Sequence, residues 1–164
     1  MQIFGAEFWL EVKLWQRNLM VIRQAALGDA DSIALLLKEM GHQSPAEEIL
    51  KRLQRLTNNH VDRVWVCEKD SRVIGFLSLH IWPRFYDWGN QDRITAMAIH
   101  SEFRRKGYGR QLIEHAEKFA QESDCVRIEV TSYSYMRLPL WSGFIDVDTI
   151  GRNARATARK DAPR

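Results

Sequence analysis

The chain has 164 residues, of which 45% are apolar, 27% charged and 10% aromatic. These fractions predict one soluble globular domain with its own core and argue against global disorder. No apolar run approaches the ~20 residues that span a bilayer, and Glu7, Glu11 and Lys13 interrupt any secretory signal, so we expect a cytoplasmic protein with no membrane contact.

The net charge of +3 is concentrated at the C-terminal end. Residues 151–164 contain five basic residues and one acidic residue, a charge of +4, which leaves −1 for residues 1–150. The folded part therefore does not predict a nucleic-acid-binding face. We expect residues 151–164 to form a basic, mobile tail that solubilises the chain or touches an acidic partner.

The two cysteines, Cys67 and Cys125, lie in apolar, strand-like segments. Two thiols cannot form a framework of several disulfides, so we expect two small buried side chains in a reducing compartment.

Residues 1–20 carry an apolar face at helical spacing. Its members are Phe4, Phe8, Val12, Trp15 and Leu19. Spacings of three and four residues place them on one side of a helix. Two interpretations remain open: an upstream extension that packs opportunistically, since Met20 is itself a suitable domain start, or an amphipathic helix that covers a neighbouring subunit of a homodimer.

From residue 21 onward, apolar periodicity and turn residues divide the chain into strands and helices. The predicted order is a strand at 21–25, helices at about 33–41 and 44–57, strands at 64–67, 73–79 and 93–99, a helix at 107–122 and a strand at 126–130. The link at 69–72 predicts an antiparallel hairpin, and 82–90 reads as an aromatic-rich loop. This order predicts one α/β domain with a mixed (α+β) sheet at 21–150.

The segment Arg104–Arg110 follows the strand that ends near Ile99 and precedes a helix. Gly107 and Gly109 allow a tight turn and a close approach of the backbone to a ligand. The N–H groups at the start of the helix favour an anion, and four cations in seven residues strengthen that field. A dinucleotide fingerprint is excluded because Leu112 stands where it needs glycine, and a P-loop is excluded because no Gly-Lys-Ser/Thr occurs. A phosphate cradle and a basic turn that caps a surface helix remain as interpretations.

The position of this turn in the element order favours the cradle. The run from Ile94 to Gly109 resembles the acetyl-CoA-binding motif of the GCN5-related N-acetyltransferase family: a strand, a short turn, then Gln/Arg-x-x-Gly-x-Gly/Ala at the start of a helix. Arg104, Gly107 and Gly109 match its fixed positions, and the resemblance covers about residues 20–131. It implies a single-domain acyl-CoA N-acyltransferase fold.

The resemblance also implies a donor and a binding mode. The donor would be acetyl-CoA, and the backbone of Met97, Ala98 and Ile99 would pair with its pantetheine arm where two neighbouring parallel strands separate. An acceptor amine would attack the thioester directly, and an N–H near Met97 would stabilise the charge that develops on the carbonyl oxygen. The pyrophosphate would lie at the turn, against Arg104 and the N–H groups of Arg105, Lys106, Gly107, Tyr108, Gly109 and Arg110.

The C-terminal segment departs from the family pattern. The family carries a Tyr, often the acid that protonates the departing thiolate, four residues before a Gly-Phe pair; here Pro139 stands four residues before Gly143-Phe144. Pro139 would also break a helix. The acid is therefore unassigned; Tyr135 is a substitute candidate, and a packing role is the favoured interpretation of it. The departure leaves three readings: an acid from elsewhere, a C-terminal part exchanged between subunits, or a non-catalytic acyl-CoA-binding or interaction module.

The general base is open as well. Its candidates are Asp92 just before the cofactor strand, Glu68 and His80 at strand ends, and His100 at the start of the turn. A solvated strand end is the competing interpretation of each carboxylate. The five histidines show no metal-ligand spacing with the cysteines, so we expect no metal.

The aromatic-rich loop bears on the identity of the acceptor. It contains four aromatic residues: Trp82, Phe85, Tyr86 and Trp88. They can wall an acceptor pocket, since aromatic faces suit cations, or form a flap over the sheet or a subunit contact. The neighbouring Asp87 and Asp92 favour an amine-bearing acceptor, either a small molecule or a peptide.

Overall fold

Seven strands form a single mixed sheet in the computed structural model, which describes residues 20–86, 88–133, 145–150 and 155–156. The helices of this part of the chain are α1 (Ala30–Glu39), α2 (Ala46–Thr57) and α3 (Tyr108–Glu122). The strands are β1 (Val21–Gln24), β2 (Asp62–Lys69), β3 (Arg72–Pro83), β4 (Asn90–Ile99), β5 (Cys125–Tyr133), β6 (Ile145–Ile150) and β7 (Arg155–Ala156). The predicted helix at 1–20 lies outside the described residues except for Met20.

The strands follow one another across the sheet in chain order. The pairs β1–β2, β2–β3, β3–β4 and β6–β7 are antiparallel, whereas β4–β5 and β5–β6 are parallel. The predicted mixed α/β sheet is confirmed. The sequence pattern predicts neither β6 nor β7. Strand β7 pairs with β6 and lies within residues 151–164, the segment predicted to be a tail.

The predicted hairpin of β2 and β3 is closed by a two-residue turn. Asp70 and Ser71 adopt φ values of 52° and 61°, the left-handed values that a tight antiparallel turn needs at both central residues. Because β3 extends to Pro83 and β4 begins at Asn90, the aromatic loop is shorter than the predicted 82–90. Asp92 accordingly lies inside β4 and not before it.

Two apolar layers sandwich the sheet. Helix α3 covers one face with Leu112, Ile113, Ala116 and Ala120, and α1 and α2 cover part of the other face with Ala30, Ile33, Leu36, Ile49 and Leu53. Both cysteines are free and buried, and burial raises the pKa of Cys67 to about 11 and that of Cys125 to about 12. Neither thiol is therefore a nucleophile near neutral pH. None of the helices within the described ranges has the length and hydropathy that a membrane crossing requires.

A β-bulge at Thr95 changes which residues of β4 face each layer. The β3 partners of Ile94 and Ala96 are consecutive residues, which leaves Thr95 without a residue opposite it. Ile94 packs in the α3 layer, and so does Met97 three residues later, whereas Ala98 packs under α1 and α2. The extra residue thus reverses the normal two-residue alternation along the strand.

Candidate cofactor site

Strands β4 and β5 separate before either of them ends. Their parallel ladder runs from Asn90–Cys125 to Ile94–Val130, yet β4 continues to Ile99 and β5 to Tyr133. In the described part of the chain, the last five residues of β4 therefore have no strand partner on this side. Their backbone offers an open edge, and an extended ligand can add to such an edge as a further strand. The residues singled out by the sequence resemblance for the pantetheine arm, at 97–99, lie on this segment.

The turn after β4 has an unusual backbone. A short 3₁₀ turn at Ser101–Phe103 is followed by Arg105 and Gly107 with φ values of 61° and 87°. A glycine adopts such a conformation without strain, whereas Arg105 does so at a cost. Helix α3 begins directly afterwards, at Tyr108.

The N–H groups of this turn are unused. Within the described residues, no hydrogen bond is seen from the backbone N–H groups of residues 105–109. These groups cluster at the N-terminus of a fifteen-residue helix, where the helix dipole and the orphan donors together favour an anion. Among the described residues, no protein oxygen occupies the position that an anion would take at these groups.

Side-chain hydrogen bonds brace the turn from α1. The Arg104 guanidinium donates to the Ile99 carbonyl at 2.8 Å and to Glu39 at 3.1 Å. Glu39 also accepts the Ser101 N–H at 2.8 Å and lies 3.4 Å from the His100 ring. Arg104 matches the motif, and its side chain ties the turn to the end of β4 and to α1. Glu39 was missed by the sequence reasoning because only the fold brings it to the turn.

Two glycines let neighbouring elements approach one another. A Cβ built at Gly109 would lie 3.1 Å from Met97 Cε and 3.6 Å from Ile99 Cγ1. A Cβ at Gly75 on β3 would lie 2.9 Å from the Ala98 carbonyl oxygen and 2.4 Å from an Ile99 side-chain carbon. Gly109 thus seats the start of α3 on β4, and Gly75 brings β3 against the same segment. A side chain at Gly109 would press on the Met97 side chain of β4.

Cations surround the turn from three elements. Lys69 at the end of β2 lies 3.0 Å from the Tyr108 hydroxyl, a contact that raises the pKa of Lys69. Arg72 on β3 and Lys106 in the turn both lie over the Phe103 ring, at 5.6 and 5.4 Å. At the start of α3, Arg110 pairs with Glu114 at 2.9 Å. The positive field at the turn therefore comes from the hairpin as well as from the motif itself.

Asp92 is not brought to the turn. It is 0% exposed, and no described residue forms a hydrogen bond with either carboxylate oxygen. Burial raises the pKa of Asp92 to about 8, and the Glu129 charge adds to this. Like Ile94 it occupies the α3 side of β4, and it lies seven residues, or ~23 Å along the strand, before Ile99. Tyr135, the other catalytic candidate, lies outside the described residues.

The remaining base candidates are engaged differently. Glu68 accepts a hydrogen bond from Arg23 at 2.8 Å, and His100 contacts Arg72 at 2.8 Å. His80 contacts Asp62 at 2.8 Å and keeps a half-exposed ring. Of the aromatic loop, Phe85, Tyr86 and Trp88 are exposed, so these three side chains do not pack over the sheet as a flap. Within the described residues, no three His, Cys, Asp or Glu side chains form a metal-binding group.

Known proteins resemble this chain in sequence and in fold. The model of the acetyltransferase (GNAT) family matches residues 30–139. A GNAT family acetyltransferase from Staphylococcus aureus has 25% identity and a TM-score of 0.64 over 75% of this chain and 96% of that one. Glucosamine-6-phosphate N-acetyltransferase from Arabidopsis thaliana has 18% identity and a TM-score of 0.63, covering 69% and 82% of the two chains. A ribosomal-protein-alanine N-acetyltransferase from Brucella melitensis has 19% identity and a TM-score of 0.59, covering 74% and 83%.

No curated protein matches the chain significantly. The family match nevertheless spans well over half of its residues and includes the strand, the turn and α3. The chain belongs to the GNAT acetyltransferase family.

Proposed function

We propose that the protein transfers an acetyl group from acetyl-CoA to a primary amine, by direct attack in a ternary complex. One observation carries this proposal: a helix N-terminus with unused N–H groups at 105–109 lies beside the unpaired edge of β4. The two features suit two adjacent parts of the donor. The turn suits the pyrophosphate, and the edge at Met97–Ile99 suits the amide-containing pantetheine arm.

The chemistry sets further demands on the site. An alkyl amine has a pKa near ~10.4 and is mostly protonated at neutral pH, so a base must take its proton before the attack. The carbonyl oxygen of the thioester gains charge, which an N–H of the open β4 segment near Met97 would stabilise. A thiolate whose conjugate acid has a pKa of about 8.5 leaves without an obligatory acid.

Calorimetry with two ligands tests the donor assignment. Acetyl-CoA contains the pyrophosphate and S-acetylpantetheine does not, so we expect acetyl-CoA to bind much more tightly. Transfer is then followed as thiol release with a panel of amines that includes amino sugars, diamines and peptides with free N-termini. Absence of both heat and thermal stabilisation at saturating acetyl-CoA would refute the proposal.

A second candidate function is a non-catalytic module that binds acyl-CoA without efficient turnover. The observation that favours it is Pro139, which stands where the family carries its Tyr acid. Tight acetyl-CoA binding with no transfer across the whole amine panel would establish this alternative. The expected cytoplasmic location and homodimer stay predictions, and light scattering on the purified full chain tests the second of them.

A further inference from the structure

Four ionisable side chains form a straight row across the sheet. Strand register places Asp62 of β2 opposite His80 of β3, His80 opposite Arg93 of β4, and Arg93 opposite Glu129 of β5. Directly opposite residues share a face of the sheet, and here it is the face that α1 and α2 cover elsewhere. Half-exposed His80 and Arg93 occupy the middle of the row, and the more buried carboxylates occupy its ends.

The first pair of the row is a carboxylate–imidazole pair. His80 Nδ1 lies 2.8 Å from Asp62 Oδ1, and the Asn59 amide donates to the other Asp62 oxygen at 2.7 Å. An ionised carboxylate only accepts hydrogen bonds, so in the neutral imidazole Nδ1 carries the proton and Nε2 keeps its lone pair. In the described residues no hydrogen bond to Nε2 is seen, and 42% of the His80 side chain is exposed. The pair therefore presents a proton acceptor to solvent.

The row lies next to the point where β4 and β5 separate. Arg93–Glu129 is the rung just before Ile94–Val130, which is the last pair of that ladder. With strands ~4.8 Å apart, His80 stands about 7 Å to the side of the gap between β4 and β5. Its ring is stacked on Trp82, with centroids 5.7 Å apart and an interplanar angle of 21°, which limits the directions in which Nε2 can point.

The other acidic and basic groups nearby are less suited to accept a proton. Glu129 uses both of its oxygens, one toward Gln91 and one toward the Arg93 guanidinium. Asp92 is fully buried on the opposite face of the sheet, under α3. Among the described residues, His80 is therefore the accessible group near the separation of the strands that has both a lone pair and an orienting partner.

We propose that His80 is the general base of acetyl transfer and that Asp62 is its positioning residue. This inference rests on the function proposed above. Nε2 takes one proton from the acceptor ammonium, which frees the nitrogen lone pair. A nitrogen–carbon bond then forms at the thioester carbonyl and the carbon–sulfur bond breaks, so that sulfur leaves with the electron pair. The second proton lost by nitrogen neutralises the thiolate, and His80 returns its own proton to solvent.

The test compares His80→Gln and Asp62→Asn with wild type, using His42→Gln at an exposed histidine of the α1–α2 link as a matched control. The acceptor is the fastest amine of the panel. Removal of a general base costs about 100- to 10,000-fold in rate. We expect a loss of that size in kcat/KM for His80→Gln, with loss of the acidic limb of the pH profile. Acetyl-CoA affinity should stay within about twofold of wild type, and His42→Gln should behave as wild type.

Two further measurements separate catalysis from folding. His80→Ala should regain part of its rate in added imidazole, which a purely structural defect would not do. Nitrogen NMR of the wild-type imidazole should show the proton on Nδ1, and Asp62→Asn should redistribute it.

The outcomes divide cleanly between the two proposals. A wild type that transfers acetyl groups while His80→Gln keeps its rate and pH profile overturns the role of His80 alone. If nitrogen NMR of the wild type finds the proton of the neutral His80 imidazole on Nε2, this also overturns the role of His80, and the measurement needs no acceptor amine. A wild type that transfers nothing overturns the transferase proposal and this inference with it.

Discussion

Gly107 gives the sharpest test of the turn because its substitution by alanine isolates backbone strain. Its φ is 87°, and a Cβ built there meets nothing within 4 Å, so Gly107→Ala adds no steric clash. Left-handed geometry costs a non-glycine residue about 1–2 kcal/mol. Alanine also lowers the conformational entropy of the unfolded chain, which offsets about 0.4–1 kcal/mol of this cost. We expect the free energy of unfolding to fall by about 1 kcal/mol, or by 2–4 °C in Tm for a chain of about this size.

The same substitution should weaken acetyl-CoA binding. If the turn relaxes to escape the strain, the N–H groups of 105–109 no longer converge. The loss of one charge-assisted hydrogen bond of about 1.5 kcal/mol raises Kd about tenfold. Calorimetry gives the affinity, and urea unfolding gives the stability.

Two other glycines supply matched controls. Gly41 has a φ of 90° and equally open surroundings, so Gly41→Ala should lose the same stability and bind acetyl-CoA normally. Gly28 has open surroundings and no positive φ, and its alanine variant should be as stable as wild type or slightly more so. If Gly107→Ala loses stability as Gly41→Ala does but binds acetyl-CoA with wild-type affinity, the turn does not hold the pyrophosphate.

Three further substitutions test individual carboxylates. Between pH 4 and 8 the unfolded chain releases the Asp92 proton that the folded state, with its pKa of about 8, retains. Wild type therefore loses stability as pH rises. At pH 8 the free energy of unfolding in urea should be higher for Asp92→Asn than for wild type, by up to a few kcal/mol. The difference should shrink as the pH is lowered toward 4. Glu39→Gln should raise the acetyl-CoA Kd about tenfold, because Ser101 and Arg104 lose their charged acceptor, while the exposed Glu48→Gln should not change it. Hydrogen bonds from Arg23 lower the pKa of Asp29. Asp29→Asn should thus cost about 2 kcal/mol at neutral pH, a difference that disappears as pH falls below 4 and Asp29 is protonated in wild type too.

The element order was predictable because it rests on local patterns. Apolar periodicity located α1, α2, α3 and the first five strands to within a few residues, and the link at 69–72 correctly predicted the hairpin. The bulge at Thr95 was not predictable, since it exists only relative to the register of β3. β6 was missed although most of its six residues, Ile145–Ile150, alternate between apolar and polar side chains, whereas β7 has only two residues, too few to carry a pattern.

The candidate site divides in the same way. The turn with Gly107 and Gly109 is contiguous in the sequence, so its residues could be named in advance. The His80–Asp62 pair joins residues 18 positions apart on two strands, and Glu39 reaches Arg104 across 65 positions. Such partners depend on strand register and helix packing, which composition and spacing do not encode. Arg104 belongs to both groups, because its motif position could be named in advance and its side-chain partner Glu39 could not.

The unpaired residue at 95 constrains how the length of β4 can change. An insertion or deletion of one residue between Ile94 and Met97 would move Met97 and Ile99 into the layer beneath α1 and α2 and turn Ala98 toward α3, exchanging large and small side chains across the sheet. An insertion or deletion of two residues would keep each side chain on its present face of the sheet but would shift the glycine turn by about 7 Å along the sheet. Relatives of this chain should therefore vary in length before the start of β4 or after α3, and keep an invariant residue count from the bulge to Gly109.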